Sequence, residues 1–379
     1  MLHTLLRSFI EPSAVQWAQW LAMWAIGGIL IYLAVNKDME PALLLPMGFG
    51  AILVNLPFSG AVTQAVSGAV KEVGPLDVLF NAGIANELFP LLLFIGIGAM
   101  IDFGPLLSNP KLFMFGAAAQ FGIFFTLSMA RLFGFSMVDA ASISIIGAAD
   151  GPTAIFVSQF LGSSYAPAIL VAAYSYMALV PIIQPPVIRL MTTPAERRIR
   201  MPYVQTSVSK PVRILFPILI TAIAGLFAPK SVALVGFLMF GNLIRECGVL
   251  NSLSETAQKE FANIITLLLG LSISVKMQAE AFLRPQTLLI MALGLVAFVF
   301  DTVGGVLLGK FINLFAKNKV NPMIGAAGIS AFPMAARTVH KMGLAEDKQN
   351  FLLMHAAGAN VAGQIASVIA GGLVLAFFG

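Results

Sequence analysis

Apolar residues run through this chain in blocks of about 20, the length at which a helix crosses the hydrocarbon core of a bilayer. Leu112 to Ala130 carries no charge, and Pro285 to Gly309 carries only Asp301. The blocks predict spans near 15–35, 42–58, 86–107, 111–134 and 165–188, then 212–228, 231–245, 261–283, 286–315 and 350–378. Two segments, 139–162 and 321–343, fit no clean span. Both are rich in Gly, Ala, Ser and Pro, and both are broken in the middle, as Gly and Pro break helices. The expected fold class is an all-α integral membrane protein with about ten transmembrane helices.

The two halves echo each other. Ile146-Gly147-Ala148-Ala149 recurs as Ile324-Gly325-Ala326-Ala327, and Asn109-Pro110 as Arg284-Pro285. Ala172-Ala173 followed by Tyr176 lines up with Ala356-Ala357 followed by Asn360. Their common order argues for a duplication: a first repeat over 1–190 with a break near 147–153, a basic cytoplasmic linker over 191–211, and a second repeat over 212–379 with a break near 325–333. If each half crosses five times and its broken segment re-enters, the halves are inverted. Inverted repeats with broken helices at corresponding positions are a transporter signature and place a binding site where the breaks meet. A mobile core of the two breaks against a scaffold of the remaining spans is the expected arrangement.

Composition agrees with the spans. The chain is 59% apolar and 10% charged, against about 25% charged in a soluble domain. The net charge of +5 is no nucleic-acid footprint, because the basic residues lie between spans. The cluster Arg189, Arg197, Arg198, Arg200, Lys210 and Arg213 reads as a cytoplasmic loop, and Lys310, Lys317 and Lys319 fall on the same side in the inverted arrangement. The single Cys247 and the three histidines leave no disulfide framework and no transition-metal cluster. Met1 to Pro12 lacks a small-residue cleavage site and reads as an interfacial segment leading into Trp17, Trp20 and Trp24. Gly304 to Phe311 has the glycine spacing of a phosphate loop, but Phe311 replaces the hydroxyl that would hold magnesium. Lys276, between Val275 and Met277, is set aside as a biotin-attachment lysine because no carrier-domain β pattern surrounds it.

Between Asp139 and Arg189 lie 49 residues with one charge, Asp150. An ionised carboxylate at bilayer depth is costly unless paired, coordinated or neutralised. Gly151 and Pro152 interrupt the helix beside it and free backbone carbonyls, which with a carboxylate suit a hard cation such as sodium. The bland reading is a helix cap, with Pro152 in the first turn; both readings can hold together. Asn321, Gly325, Ser330 and Arg337 lie in the second broken segment, where Asn and Ser oxygens are neutral cation ligands. Arg337 beside His340 and Lys341 could equally line an aqueous loop. Tyr176 and Asn360 occupy matching repeat positions, although a membrane Tyr is more often packing or an anchor. Asp301 is the other isolated acid, and a structural role ranks slightly ahead for it. His355 reads as packed.

Four stretches resemble the beta subunit of the sodium-translocating biotin-dependent decarboxylases, which act on oxaloacetate, methylmalonyl-CoA, glutaconyl-CoA or malonate. They are Gly147 to Phe156, Tyr174 to Pro186, Asn321 to Gly343 with its Asn-Pro-x-x-Gly-x-x-Gly-x-Ser-x-x-Pro-x-x-Ala-Arg pattern, and Asn360 to Gln364. The resemblance implies sodium binding by Asp150, Asn321, Gly325, Ser330 and Asn360, and a role for Tyr176 and Arg337 in carboxybiotin or proton chemistry. It implies that carboxybiotin arrives in trans on a biotin carrier subunit, with a carboxyltransferase, a small membrane-anchored subunit and further copies of this chain as partners, in a bacterial inner membrane. The chain looks short beside oxaloacetate-type relatives, which favours an acyl-CoA substrate over oxaloacetate. Composition alone leaves two rivals open, a sodium-coupled symporter or antiporter and a non-catalytic membrane anchor. Asp150 and the broken helices count against the anchor.

Overall fold

The computed structural model describes residues 12–38, 40–66, 70–202, 208–227 and 229–379, so the expected interfacial segment before Pro12 and residues 203–207 of the linker lie outside the described residues. The main helices are α1 (Ala14–Lys37), α2 (Pro41–Val54), α3 (Pro75–Gly83), α4 (Leu88–Met100), α5 (Phe113–Ala119), α6 (Phe121–Leu132), α7 (Met137–Ser144), α8 (Gly151–Phe160) and α9 (Ala166–Ala178). They continue as α10 (Val180–Met191), α11 (Lys210–Phe227), α12 (Val232–Cys247), α13 (Ala262–Ser274), α14 (Pro285–Phe315), α15 (Met323–Ala326), α16 (Met334–Glu346) and α17 (Leu353–Phe378). A small antiparallel hairpin pairs Gln64–Val66 with Val70–Glu72. Among the described residues five helical stretches are long and apolar enough to cross a membrane, or up to seven if each bent pair is one span.

The exposed surface is apolar where a soluble protein would be polar. On α11, Leu215, Ile218, Leu219, Ile223 and Leu226 are all exposed at the three- and four-residue spacing of one helix face. That face needs a hydrocarbon solvent, which fixes the protein as an integral membrane protein.

By internal contacts the chain forms two units, residues 1–90 with 263–289, and residues 91–262 with 290–379. In the first unit, Asn55 closes α2: its amide donates to Met277 O at 2.8 Å and its carbonyl accepts from Ala279 N at 2.7 Å. Trp24 donates to Asn55 O at 3.2 Å. In the second unit α17 is the central helix, and most of it is buried. It can lie deep because its packing face is small: Ala356, Gly358, Ala359, Ala362 and Gly363 let neighbours approach backbone to backbone. A Cβ on Gly116 of α5 would come within 2.5 Å of Ala362 C, and one on Gly363 would collide with Gly328 O. Both segments that fit no span are broken in the structure. The first passes from α7 through a 3₁₀ turn, Ile145–Ala148, into α8. The second is α15, then a turn with a cis Phe332–Pro333 bond, then α16.

Basic residues after α10 form a built contact in place of a loose loop. Arg197 pairs with Glu346 at 2.5 Å and donates to Thr192 O at 2.6 Å, and Arg200 pairs with Asp347 at 2.5 Å. Lys310 pairs with Glu196 at 3.3 Å. The Arg200 hydrogen bond, helped by the Gln349 backbone N–H, lowers the Asp347 pKa from its ordinary value. Desolvation pushes Glu196 up, but hydrogen bonds from Thr193 and Lys310 outweigh it and its pKa is lowered.

Candidate ion site at the two helix breaks

The first break is made by local backbone chemistry. Ala149 is left-handed (φ 52°), and Asp150 follows in extended conformation. Gly151 and Pro152 then start α8, where the missing Pro N–H is not needed. The Asp150 side chain caps this helix. Oδ1 accepts from Thr153 N at 3.4 Å and Oδ2 from Thr153 Oγ1 at 2.7 Å. The cap and the ion-site readings thus fall on the same carboxylate, which is 2% exposed. The ring of Tyr174 packs where a Cβ on Gly151 would be, so only glycine fits there. Its hydroxyl has no hydrogen-bond partner among the described residues.

The second break reaches the first directly. Ser330 N donates to Ala148 O at 3.3 Å. The Ser330 and Ser367 hydroxyls lie 2.7 Å apart, and Ser367 Oγ donates to Asp150 Oδ2 at 3.0 Å. Ser330, Ser367 and Asp150 therefore form a chain of oxygens joining both breaks to α17. Two amides on α17 hold the second break. Asn360 Nδ2 donates to Ile329 O at 2.6 Å, and Gln364 Nε2 donates to Ser330 O. Because each nitrogen faces a carbonyl, the amide oxygens are fixed as the free ends. Asn360 Oδ1 and Gln364 Oε1 are buried without partners among the described residues. These two neutral oxygens lie at the second break, on the α17 face that also carries Ser367, and with the hydroxyls and the Asp150 carboxylate they are the kinds of donor a hard cation takes.

The residues expected from sequence fall into three places. Asp150, Ser330 and Asn360 come together at the junction of the breaks. Asn321 makes its bonds elsewhere: its amide donates to Arg197 O and Ile199 O, both at 2.9 Å, and its oxygen accepts from Met323 N at 3.1 Å. Gly325 packs backbone to backbone against Gly305 of α14, and its carbonyl accepts from Gly328 N at 3.0 Å. Tyr176 donates to Met291 O at 2.5 Å and packs on Gly294. Arg337 is exposed on α16. Thr153, Tyr174, Gln364 and Ser367 were not singled out from the sequence. Asn360, Gln364 and Ser367 nevertheless show as polar residues at positions i, i+4 and i+7 of an apolar helix, one face by helical geometry.

Residues 19–378 match the family described as the Na+-transporting oxaloacetate decarboxylase beta subunit. The chain is 48% identical over 375 residues to the methylmalonyl-CoA decarboxylase subunit beta of Propionigenium modestum, covering 95% of each. It is 46% identical over 376 residues to the glutaconyl-CoA decarboxylase subunit beta of Acidaminococcus fermentans, covering 99% of this chain and 98% of the relative. It is 45% identical over 417 residues to a probable oxaloacetate decarboxylase beta chain of Vibrio cholerae, covering 96% of each.

Proposed function

Because this chain belongs to the beta-subunit family of the sodium-transporting decarboxylases, we propose that it decarboxylates carboxybiotin brought by a biotinylated partner and uses the reaction to export sodium. The observation that carries this reading is the convergence on Asp150 of the Thr153 and Ser367 hydroxyls, with the Ser330 hydroxyl next to Ser367 and two free amide oxygens held at the second break. Sodium takes oxygen ligands and needs a counter-charge in a dry site. Asp150 supplies the charge, while Ser330, Ser367, Thr153, Asn360 and Gln364 supply neutral oxygens. Gly325 and Asn321 act at one remove: the first lets the second break approach α14, and the second ties it to the basic loop.

In the reaction, the bond between the biotin ring nitrogen and the carboxyl carbon breaks, carbon dioxide leaves, and the nitrogen takes one proton. Arg337, exposed and bidentate, suits the incoming carboxylate. Tyr176 belongs to the proton side, where its hydroxyl is held by Met291 O until released. The sodium site is built from both breaks, so a change in either moves ligands of the same ion. That gives the decarboxylation a route to alter sodium affinity, as alternating access requires. Sodium and a proton compete for Asp150, so lower pH raises the sodium concentration needed for half-maximal turnover.

An acyl-CoA decarboxylase is the favoured setting, with a carboxyltransferase, a biotin carrier and a small membrane-anchored subunit as partners and this chain in several copies. Its support is length: the alignment to the Vibrio protein runs over 417 residues, more than the 379 of this chain. That relative therefore carries insertions, whereas the acyl-CoA relatives align over 375 and 376 residues. The test uses the complex purified in detergent from its native host, assayed with methylmalonyl-CoA, glutaconyl-CoA and oxaloacetate. An avidin blot for a co-purifying biotinylated chain accompanies it. Sodium-dependent turnover of an acyl-CoA that vanishes in Asp150→Asn is expected. Turnover of oxaloacetate alone overturns the substrate assignment, and an unchanged sodium response in Asp150→Asn overturns the site.

A further inference from the structure

Asp301 takes no part in the oxygen cluster around Asp150. It sits mid-helix in α14 and is 0% exposed. Its Oδ1 accepts from Gly122 N at 2.6 Å, just past Gln120, the turn residue between α5 and α6. Its Oδ2 has no partner among the described residues. That oxygen faces the first break: a Cβ on Gly147 would lie 3.0 Å from Oδ2 and 3.2 Å from Ala297 Cβ. Gly122 is equally constrained, since a Cβ there would collide with Oδ1. The Gly122 N–H, with the Ile123 N–H close by, ties the carboxylate to the start of α6, and Oδ2 makes no hydrogen bond among the described residues.

We propose that Asp301 is a proton-binding site, which holds on Oδ2 the proton that decarboxylation consumes. The assignment rests on the pump reading and adds a second ion-handling residue to it. What separates the two acids is ligand number. Asp150 carries the Thr153 and Ser367 hydroxyls on its carboxylate, with the Ser330 hydroxyl 2.7 Å from Ser367, the several oxygens that a hard metal cation takes. Asp301 has one free oxygen facing a glycine and an alanine, too few ligands for sodium and enough for a proton. Its place on α14 links it to the rest of the site. Gly305 of the same helix packs on Gly325 of the second break, and Gly294 packs on Tyr176. Gly294 and Asp301 are seven residues apart, two turns or about 10 Å along one face.

The elements packed on Asp301 carry few other charges. The only charged residue of α6 is Arg131, which donates to Phe135 O at 2.7 Å. The first broken segment contributes Asp150, three residues beyond Gly147, and Asp139, whose carboxylate accepts from the Ser136 and Ser163 hydroxyls, both at 2.7 Å. The other charge on α14 is Lys310, paired with Glu196. The proton balance is simple: one proton enters onto Oδ2 and leaves toward the biotin nitrogen as the N–CO₂ bond breaks, which returns the carboxylate.

The test treats the purified complex with dicyclohexylcarbodiimide, which modifies protonated carboxyls in apolar surroundings, at several pH values with and without saturating sodium. Modified residues are located by peptide mass spectrometry. Label on Asp301 that falls as pH rises and is indifferent to sodium is the expected result, together with label on Asp150 that sodium prevents. Label on Asp150 with none on Asp301 at any pH overturns the proposal. Label on Asp301 with an Asp150 that sodium fails to protect leaves the proton site standing and removes the sodium site. If the reagent marks neither, Asp301→Asn decides, because it keeps an oxygen for the Gly122 N–H but has no titratable proton. Turnover lower by about 10²-fold or more with an unchanged melting temperature supports the proposal. Unchanged turnover and pH profile overturn it.

Discussion

Ser367→Ala is the most discriminating perturbation of the proposed sodium site. It removes one oxygen, 3.0 Å from Asp150 Oδ2 and 2.7 Å from Ser330 Oγ, from a fully buried position inside α17. Two effects oppose each other. Without sodium, Asp150 loses a hydrogen-bond donor, which favours binding of the ion. With sodium, the site loses a ligand. The second effect wins, because the free carboxylate keeps both Thr153 donors, while the oxygens left beside the vacated place, Ser330 Oγ and Gln364 O, are ones the site already held. A hydrogen bond to a charged group contributes about 1.5–3 kcal/mol, and each 1.4 kcal/mol is about tenfold in affinity. Sodium half-saturation should therefore rise roughly 10- to 100-fold, the upper end being reached only if the loss of the donor matters little. The assay is the sodium titration of decarboxylation by the purified complex. Ser142→Ala is the control, since the Ser142 hydroxyl is also buried but has no partner among the described residues. Half-saturation within about twofold of wild type in both variants would show that Ser367 is not a ligand.

Three further outcomes follow from the same geometry. Gly363→Ala forces a methyl group into Gly328 O, and overpacking of this kind costs about 1–3 kcal/mol; a lowered melting temperature with weaker sodium binding is expected, and neither changing would refute the close contact. Arg337→Lys replaces a planar fork by a point charge, so turnover should fall about tenfold or more, the worth of one 1.4 kcal/mol step, while sodium half-saturation and melting temperature stay put; full activity would exclude a carboxylate contact. The Asp347 pKa is lowered chiefly by Arg200, so the contribution of this contact is complete above the ordinary aspartate range and is lost only as pH falls through the lowered value. Limited proteolysis at Arg198 should therefore proceed alike at pH 8 and pH 5, and faster cleavage already at pH 5 would contradict the assignment.

Membrane class, helical architecture and the position of both breaks were legible in the sequence, for a physical reason. A bilayer demands runs of about 20 apolar residues, and the small residues and prolines around Gly151-Pro152 and Pro333 fit no unbroken run. Asp150 was equally legible, because a lone charge in 49 apolar and neutral residues has few bland explanations. Other features depended on distant pairings. The bend at Leu179 interrupts a run that reads as a single span. The helix Pro75–Gly83 was missed because a nine-residue segment is too short to announce itself by hydropathy.

The ligand set needed the tertiary structure most. Ser367 lies 217 residues from the carboxylate it bonds, and its hydroxyl also reaches its own helix at Gln364 O, as Ser272 reaches Leu268 O, so nothing in the sequence separates the two. Asn321 and Ser330, nine residues apart in one motif, look alike as oxygen donors. Packing sends Asn321 to the carbonyls of Arg197 and Ile199 and Ser330 to the chain of oxygens at Asp150. The sequence by itself determined which residue types stand at bilayer depth, since that follows from local transfer energies. Which of them meet was decided only by the fold, since it depends on how α17 crosses the two breaks.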